Sequence, residues 1–182
     1  MIEMGSFPEA CRLKPYGHQV VGVRALVESL ESRWRGFLLA DEPGAMKTKQ
    51  VIDAAQVLFE AGKIDAVIVL TIAEARPLWY DPDPAFGEIA MHTWEKTPTI
   101  VTEWHSRPRA WANGAADREG TKRWLRWYCS NYEYVRNKPK AEGLAGLAAG
   151  PRTLLVLDES AAIRNHTSAQ FKTAFMIRCK CA

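Results

Sequence analysis

Several things are scarce in this sequence, and each scarcity excludes a class. None of its apolar runs approaches the roughly 20 residues a membrane span needs. The opening MIEMGSFPEA has neither the basic n-region nor the apolar h-region of a secretory signal. There are four cysteines, Cys11, Cys129, Cys179 and Cys181, scattered except for the final Cys-Lys-Cys. Without secretory context they read as reduced thiols, and a single C-x-C lacks the partner pair that a metal site needs. Charge of either sign is nearly balanced, at +3 overall, too little to call for nucleic acid by itself. No internal repeat is evident. What remains is a globular composition, 47% hydrophobic and 25% charged over 182 residues. That is one domain of ordinary size, able to bury about 70% of its unfolded surface. A cytoplasmic location is the expectation.

The most informative stretch is Gly36 to Thr48, GFLLADEPGAMKT. Phe37-Leu38-Leu39-Ala40 has the size of a buried strand. Asp41-Glu42-Pro43-Gly44 breaks it with turn chemistry. Lys47-Thr48 then opens a segment with Val51, Ile52, Ala55, Leu58 and Phe59 at helical spacing. Strand, glycine turn and Lys-Thr at a helix start is the layout of a phosphate-binding loop. Backbone amides wrap the phosphates, the lysine meets the β/γ oxygens and the hydroxyl holds Mg²⁺. The plain alternative is a strand-turn-helix with an accidental Lys-Thr. A second signal weighs against it: Thr153-Leu154-Leu155-Val156-Leu157 is another buried-strand run, and it leads into Asp158-Glu159. An acidic pair at the carboxyl tip of a strand is where a nucleotide hydrolase holds metal and activates water.

Residues 1–12 read as a loose lead-in. Leu13 to Gln19 turns into a helix of about four turns carrying Val20, Val23, Val27 and Leu30, with Gln19 near its first turn. A glutamine amide offers a donor and an acceptor that suit an adenine edge; a plain exposed glutamine is the alternative. Ala66 to Leu70 is a further buried strand. Pro77, Pro82, Pro84 and Gly87 then mark a strand-to-helix junction and a long surface loop, and Thr99-Ile100-Val101 is a candidate strand. Trp104 to Lys140 holds nine basic residues against three acidic ones, with Trp104, Trp111, Trp124, Trp127 and Tyr128 interleaved. Either this is a nucleic-acid face or a solvated amphipathic helix, Asp117 to Trp127, packs its tryptophans inward. Ala141 to Gly150 is a small-residue helix or turn, and a last helix runs from Ser168 to about Ile177.

With a glutamine turn, a phosphate loop and an acidic strand in this order, the chain resembles the first RecA-like lobe of a superfamily-two helicase. It is most similar to the Swi/Snf-like DNA-dependent ATPases, particularly their compact bacteriophage versions. Leu13 to Gln19 matches their L-x-P-Y/F…Q turn. Leu39 to Thr48 is similar to their L-A-D-E-M-G-L-G-K-T. Ser130-Asn131-Tyr132-Glu133 looks like their N-Y-E segment, and Asp158 to Asn165 like their D-E-S-x-x-I-K-N box. The likeness spans Leu13 to about Phe175.

The resemblance implies an α/β fold, a three-layer RecA-like P-loop NTPase lobe with a parallel sheet, over residues 13–182. It implies ATP and Mg²⁺ as cofactors and sequence-independent DNA as a partner. By the same likeness Gln19 reads adenine, and Gly44, Ala45, Met46 and Lys47 cradle phosphates. Thr48 and Asp158 hold Mg²⁺, and Glu159 and Lys47 serve hydrolysis. Three departures qualify it. Met46 replaces a glycine that lets the backbone approach the β-phosphate, so weakened binding or hydrolysis is expected. The strand after Lys63 ends Leu-Thr-Ile-Ala rather than in proline, which blurs the DNA-contacting motif from Thr71 to Trp79. The chain stops before the Thr-Gly-Thr motif and second lobe, whose arginine finger is worth roughly 10³–10⁵ in rate. The lobe alone is therefore expected to be nearly inert, with a second lobe supplied in cis or in trans. The rival expectation is a DNA- or protein-binding module that does not turn nucleotide over. A nucleotide kinase or GTPase is disfavoured, because neither lid arginines nor an Asn-Lys-x-Asp run is present.

Overall fold

A computed structural model describes residues 4–30, 36–113, 123–149 and 152–179. Its centre is β1, Ala66–Thr71, whose six residues are all buried. A strand covered on both faces needs no alternation, which is why AVIVLT reads as one apolar run. β1 pairs in parallel with β4, Leu125–Asn131, on one side and with β5, Thr153–Leu157, on the other. β2, Thr99–Glu103, lies parallel to β4, and β3, Arg109–Asn113, closes that edge antiparallel to β2. The five-stranded order is β3-β2-β4-β1-β5.

Alternate residues of β1 feed two cores. Val67 and Val69 pack with Val23 and Val27 of α1, Gly17–Ser29, and with Ile52, Ala55 and Leu58 of α2, Lys47–Glu60. The short helices α3, Arg76–Tyr80, and α4, Glu88–His92, give Trp79 and Ile89 to that layer. Ile68 and Leu70 face the other way. There α5, Tyr132–Val135, α6, Lys138–Ala148, and α7, Ala169–Arg178, supply Tyr132, Leu144 and Ile177. The molecule is a three-layer α/β lobe with a mostly parallel sheet, consistent with the RecA-like architecture.

α2 ends at Glu60 and the chain enters β1 at Ala66. At about 21 Å for its 14 residues, against about 20 Å for β1, the helix runs back along the strand. Its N-terminus therefore comes to the carboxyl end of the sheet, beside the ends of β1, β4 and β5.

Four expectations need correcting. Phe37 to Ala40 forms no strand: the segment joins no ladder, with Phe37 46% and Leu38 76% exposed. A run of four apolar residues satisfies the pattern, but among the described residues the sheet ends at β5 without it. The lead-in is not loose where it is described. Phe7 and Cys11 are buried in the core, with Phe7 stacked on Trp94, and the Ser6 hydroxyl donates to Glu60. Leu125 to Trp127 is strand rather than helix, since Leu125, Trp127 and Cys129 are buried while Arg126 is exposed, a period of two. Arg123 and Trp124 of that proposed helix belong to no helix or strand, and its residues 117–122 lie outside the described residues. Finally, the loop after β1 is not wholly at the surface, because α3 within it buries Trp79.

No helix among the described residues is long and apolar enough to cross a membrane. Cys11, Cys129 and Cys179 are free thiols. Burial, then the Asp53 charge, pushes the Cys11 thiol up to about 12, and burial raises Cys129 further, so neither buried sulfur is a nucleophile.

Candidate site at the carboxyl edge of the sheet

The Asp41–Lys47 loop turns through Gly44 at φ +85°, a left-handed conformation that costs glycine little. A Cβ there would meet nothing within 4 Å, so the loop is open at its tip. Met46 follows in the left-handed region as well, at φ 51° and ψ 48°, and is the N-cap of α2. Its side chain makes no capping bond, so the first-turn amides of α2 are donors that no helix carbonyl meets. Lys47 folds back over the loop, its Nζ donating to the carbonyls of Asp41 at 2.8 Å and Glu42 at 3.0 Å. Thr48 is half-buried, and its hydroxyl makes no hydrogen bond to another described residue.

Gln50, one turn into α2, holds this loop in shape and was not singled out from the sequence. It is fully buried, and its Nε2 donates to the Asp41 carboxylate at 3.0 Å and to the Ala45 carbonyl at 3.2 Å. Its other face is pressed on α1 at Gly22, where any Cβ would collide with Oε1. Gln50 Oε1 and Gln19 Nε2 are both buried without a partner. Gln19 is thus neither an exposed glutamine nor free to turn outward. Its Oε1 accepts from the Tyr16 amide at 2.9 Å, and the residue is 1% exposed. Below the loop, Lys49 pairs with Asp53 one turn on, both buried, and the Cys11 thiol and the Trp94 indole also donate to Asp53.

The acidic residues form a second group. Asp158 directly follows β5, its amide donating to the Leu70 carbonyl of β1 at 2.9 Å. Its carboxylate Oδ2 accepts from the Thr71 hydroxyl and from the Trp79 indole N–H, both at 2.9 Å. Oδ1 accepts from no described residue. Tyr132 donates its hydroxyl to the Asp158 carbonyl at 2.7 Å. Burial first, then the charge of Asp158, pushes that phenol above its ordinary value and keeps it a donor. Asn131 beside it caps α5, accepting from the Tyr134 amide at 2.7 Å. Glu159 is exposed and stands at φ 48°; its carbonyl accepts from the Ala162 amide at 3.0 Å, while its carboxylate has no hydrogen bond or ion pair to another described residue.

The two groups share the carboxyl edge of the sheet, though no hydrogen bond or ion pair joins them among the described residues. Met46 and Glu159 are the two non-glycine residues with positive φ among those described, and they fall one in each group. Backbone strain of this kind collects at functional sites. The donor set is a carboxylate oxygen and a hydroxyl, hard ligands that suit Mg²⁺, which takes one or two carboxylates plus substrate phosphates rather than a protein cage. No group of three or more acidic, histidine or cysteine residues suited to a metal occurs among the described residues.

The basic stretch divides. Arg123 is tied to Asp65 at 2.6 Å and lies over the Phe59 ring, and Arg126 is at the amino end of β4, far from this edge. Arg107, Arg109, Arg136, Lys138 and Lys140 are exposed where β2 and β4 end, at the edge that carries Asp158. Lys140 sits over the Tyr134 ring at 4.1 Å, and that ring packs on His105 at 4.5 Å.

Fold and edge together define a class: a three-layer α/β lobe with a lysine-bearing loop at an uncapped helix and an aspartate at the tip of a neighbouring strand. Compared with models of known protein families and with curated proteins, the chain matches none.

Proposed function

We propose that the chain is the ATP-binding lobe of a Swi/Snf-like DNA-dependent ATPase, which couples hydrolysis to movement on DNA. The observation that carries this reading is the meeting of the Gly44–Lys47 loop, the open N-terminus of α2 and Asp158 at one edge of a parallel sheet, where α/β proteins bind ligands. The first-turn amides of α2 and the loop amides through Gly44, Ala45 and Met46 would face phosphate oxygens. Lys47 would exchange its two carbonyl acceptors for β/γ oxygens, a like-for-like replacement at a charged donor. Asp158, through its free Oδ1, and Thr48 would hold Mg²⁺. The bound cation would neutralise charge on the β- and γ-phosphates. Glu159, exposed and unpaired, would orient the attacking water. For Gln19 to read adenine through its one free group, the buried Nε2, the turn at Tyr16 would have to open.

The exposed basic residues at the ends of β2 and β4 would meet DNA phosphates without reading sequence. A second RecA-like lobe, in cis or in trans, would supply the arginine that meets transition-state charge. The setting is cytoplasmic, or the host cytoplasm for a phage-encoded chain.

Calorimetry with ATP–Mg²⁺ on the chain and on Lys47→Ala tests the loop. Weak binding that disappears in the variant is expected; equal heats for both overturn the assignment. One observation favours a second reading, a module that contacts DNA or protein without turning nucleotide over: Lys47 is already satisfied by its own loop. Binding without hydrolysis, when duplex DNA and a second lobe are both present, would select it.

A further inference from the structure

Asp158 is held asymmetrically. Both of its side-chain donors, the Thr71 hydroxyl and the Trp79 indole, bind the same oxygen, Oδ2, at 2.9 Å. Trp79 is 3% exposed and comes from α3, 79 residues earlier in the chain, on an element outside the sheet. A buried indole N–H requires an acceptor, and a tryptophan needed only for packing would not have to find it on the one half-buried aspartate at the strand tips. Two donors on one oxygen fix the plane of the carboxylate and leave the lone pairs of Oδ1 unclaimed. Groups that hold a metal-binding carboxylate in this way set its orientation, and their loss commonly costs 10- to 100-fold in metal affinity. α3 is itself fastened to the sheet, because Arg76 at its start pairs with Glu103 at the end of β2 at 3.1 Å, and the Tyr80 carbonyl at its end accepts from the Trp111 indole.

We propose that Trp79 is a positioning residue: its indole N–H, together with the Thr71 hydroxyl, turns Asp158 so that Oδ1 is presented to Mg²⁺. This rests on the nucleotide reading given above. The orientation of the metal-holding carboxylate then depends on where α3 sits, not on β5 alone.

The bond and its consequence are separable by experiment. In ¹H–¹⁵N spectra of the wild-type chain, the indole signal that Trp79→Phe removes should move on Asp158→Asn, while the other indole signals stay in place. An unmoved signal overturns the contact. Calorimetry with ADP, with and without Mg²⁺, then tests the role. Wild type should gain affinity from Mg²⁺, and Trp79→Phe should lose about tenfold of that gain while its Mg²⁺-free affinity is unchanged. A Mg²⁺ gain kept in full by Trp79→Phe overturns the role of Trp79 and leaves the nucleotide reading intact. A wild-type chain whose ADP affinity ignores Mg²⁺ overturns the nucleotide reading at this carboxylate, and the proposal with it. Should Trp79→Phe not fold, Thr71→Val and Thr71→Ser give the same test of the clamp. Loss of the Mg²⁺ gain in the valine variant and its return in the serine variant are expected, and equal behaviour of the two overturns the clamp.

Discussion

At the scale of single residues, Met46 has a cost in the backbone apart from its expected effect on phosphate binding. Its side chain is 40% exposed, and what it contributes is a left-handed backbone at the start of α2. That conformation costs a residue with a Cβ about 1 kcal/mol, and glycine far less. Met46→Gly should therefore raise the midpoint of urea unfolding by the equivalent of up to about 1 kcal/mol with an unchanged slope, where a lower midpoint would show that the methionine packs usefully. Lys47, Thr48 and Asp158 were legible because their chemistry is local: turn, hydroxyl and acid stand within a few positions of a strand or helix end. Gln50 and Trp79 were not. Their partners are fixed by the close approach of α1 to α2 at Gly22 and by the return of the chain 79 residues later, and no spacing rule encodes either.

At the scale of elements, α2 carries the loop and is anchored from beneath by charge as well as by apolar packing. Lys49 and Asp53 are 2% and 1% exposed and pair with each other, with the Cys11 thiol and Trp94 indole completing the aspartate's bonds. Removing one member of a buried pair strands the other. Asp53→Ala should cost about 3–5 kcal/mol in chemical denaturation. A cost under about 1 kcal/mol would mean that water reaches Lys49. Periodicity disclosed most elements and misled in two places for identifiable reasons. β4 alternates buried Leu125, Trp127 and Cys129 with exposed Arg126, a strand signal overshadowed by paired tryptophans that also fit a helical face. Phe37 to Ala40 has the composition of a strand without a partner to complete it, since ladder formation belongs to the sheet and not to the segment.

At the scale of the whole molecule, two titrating side chains contribute to the response to acid. Burial first, then the charges of Arg76 and Lys140, lowers His105 below its ordinary value against the opposing pull of Glu103. Slight burial raises the Asp65 carboxyl, but hydrogen bonds from Arg123 and Arg152, with their charges, outweigh it and lower it. In both cases the folded value lies below the unfolded one. Each contribution is thus complete above the ordinary value, 6.5 for His105 and 3.8 for Asp65, and is lost as pH falls through the folded value. Unfolding midpoints followed from neutral pH into acid should decline in two stages, the first absent in His105→Gln and the second in Asp65→Asn; a single stage common to all three proteins would refute this. The layered fold was readable from the apolar runs of β1 and β5, whereas the order of strands was not, because crossovers are decided by packing on both faces. One result of that order is practical. β5 is the last strand of the sheet among the described residues, and Thr153 to Leu157 has no charged side chain. Exposed Leu157, Phe37 and Leu38 add apolar surface of their own. Uncharged sequence at the margin of a sheet, flanked by exposed apolar side chains, favours self-association, so the colloidal behaviour of the protein in concentrated solution depends on this corner, and Leu157→Lys is the substitution that would guard it.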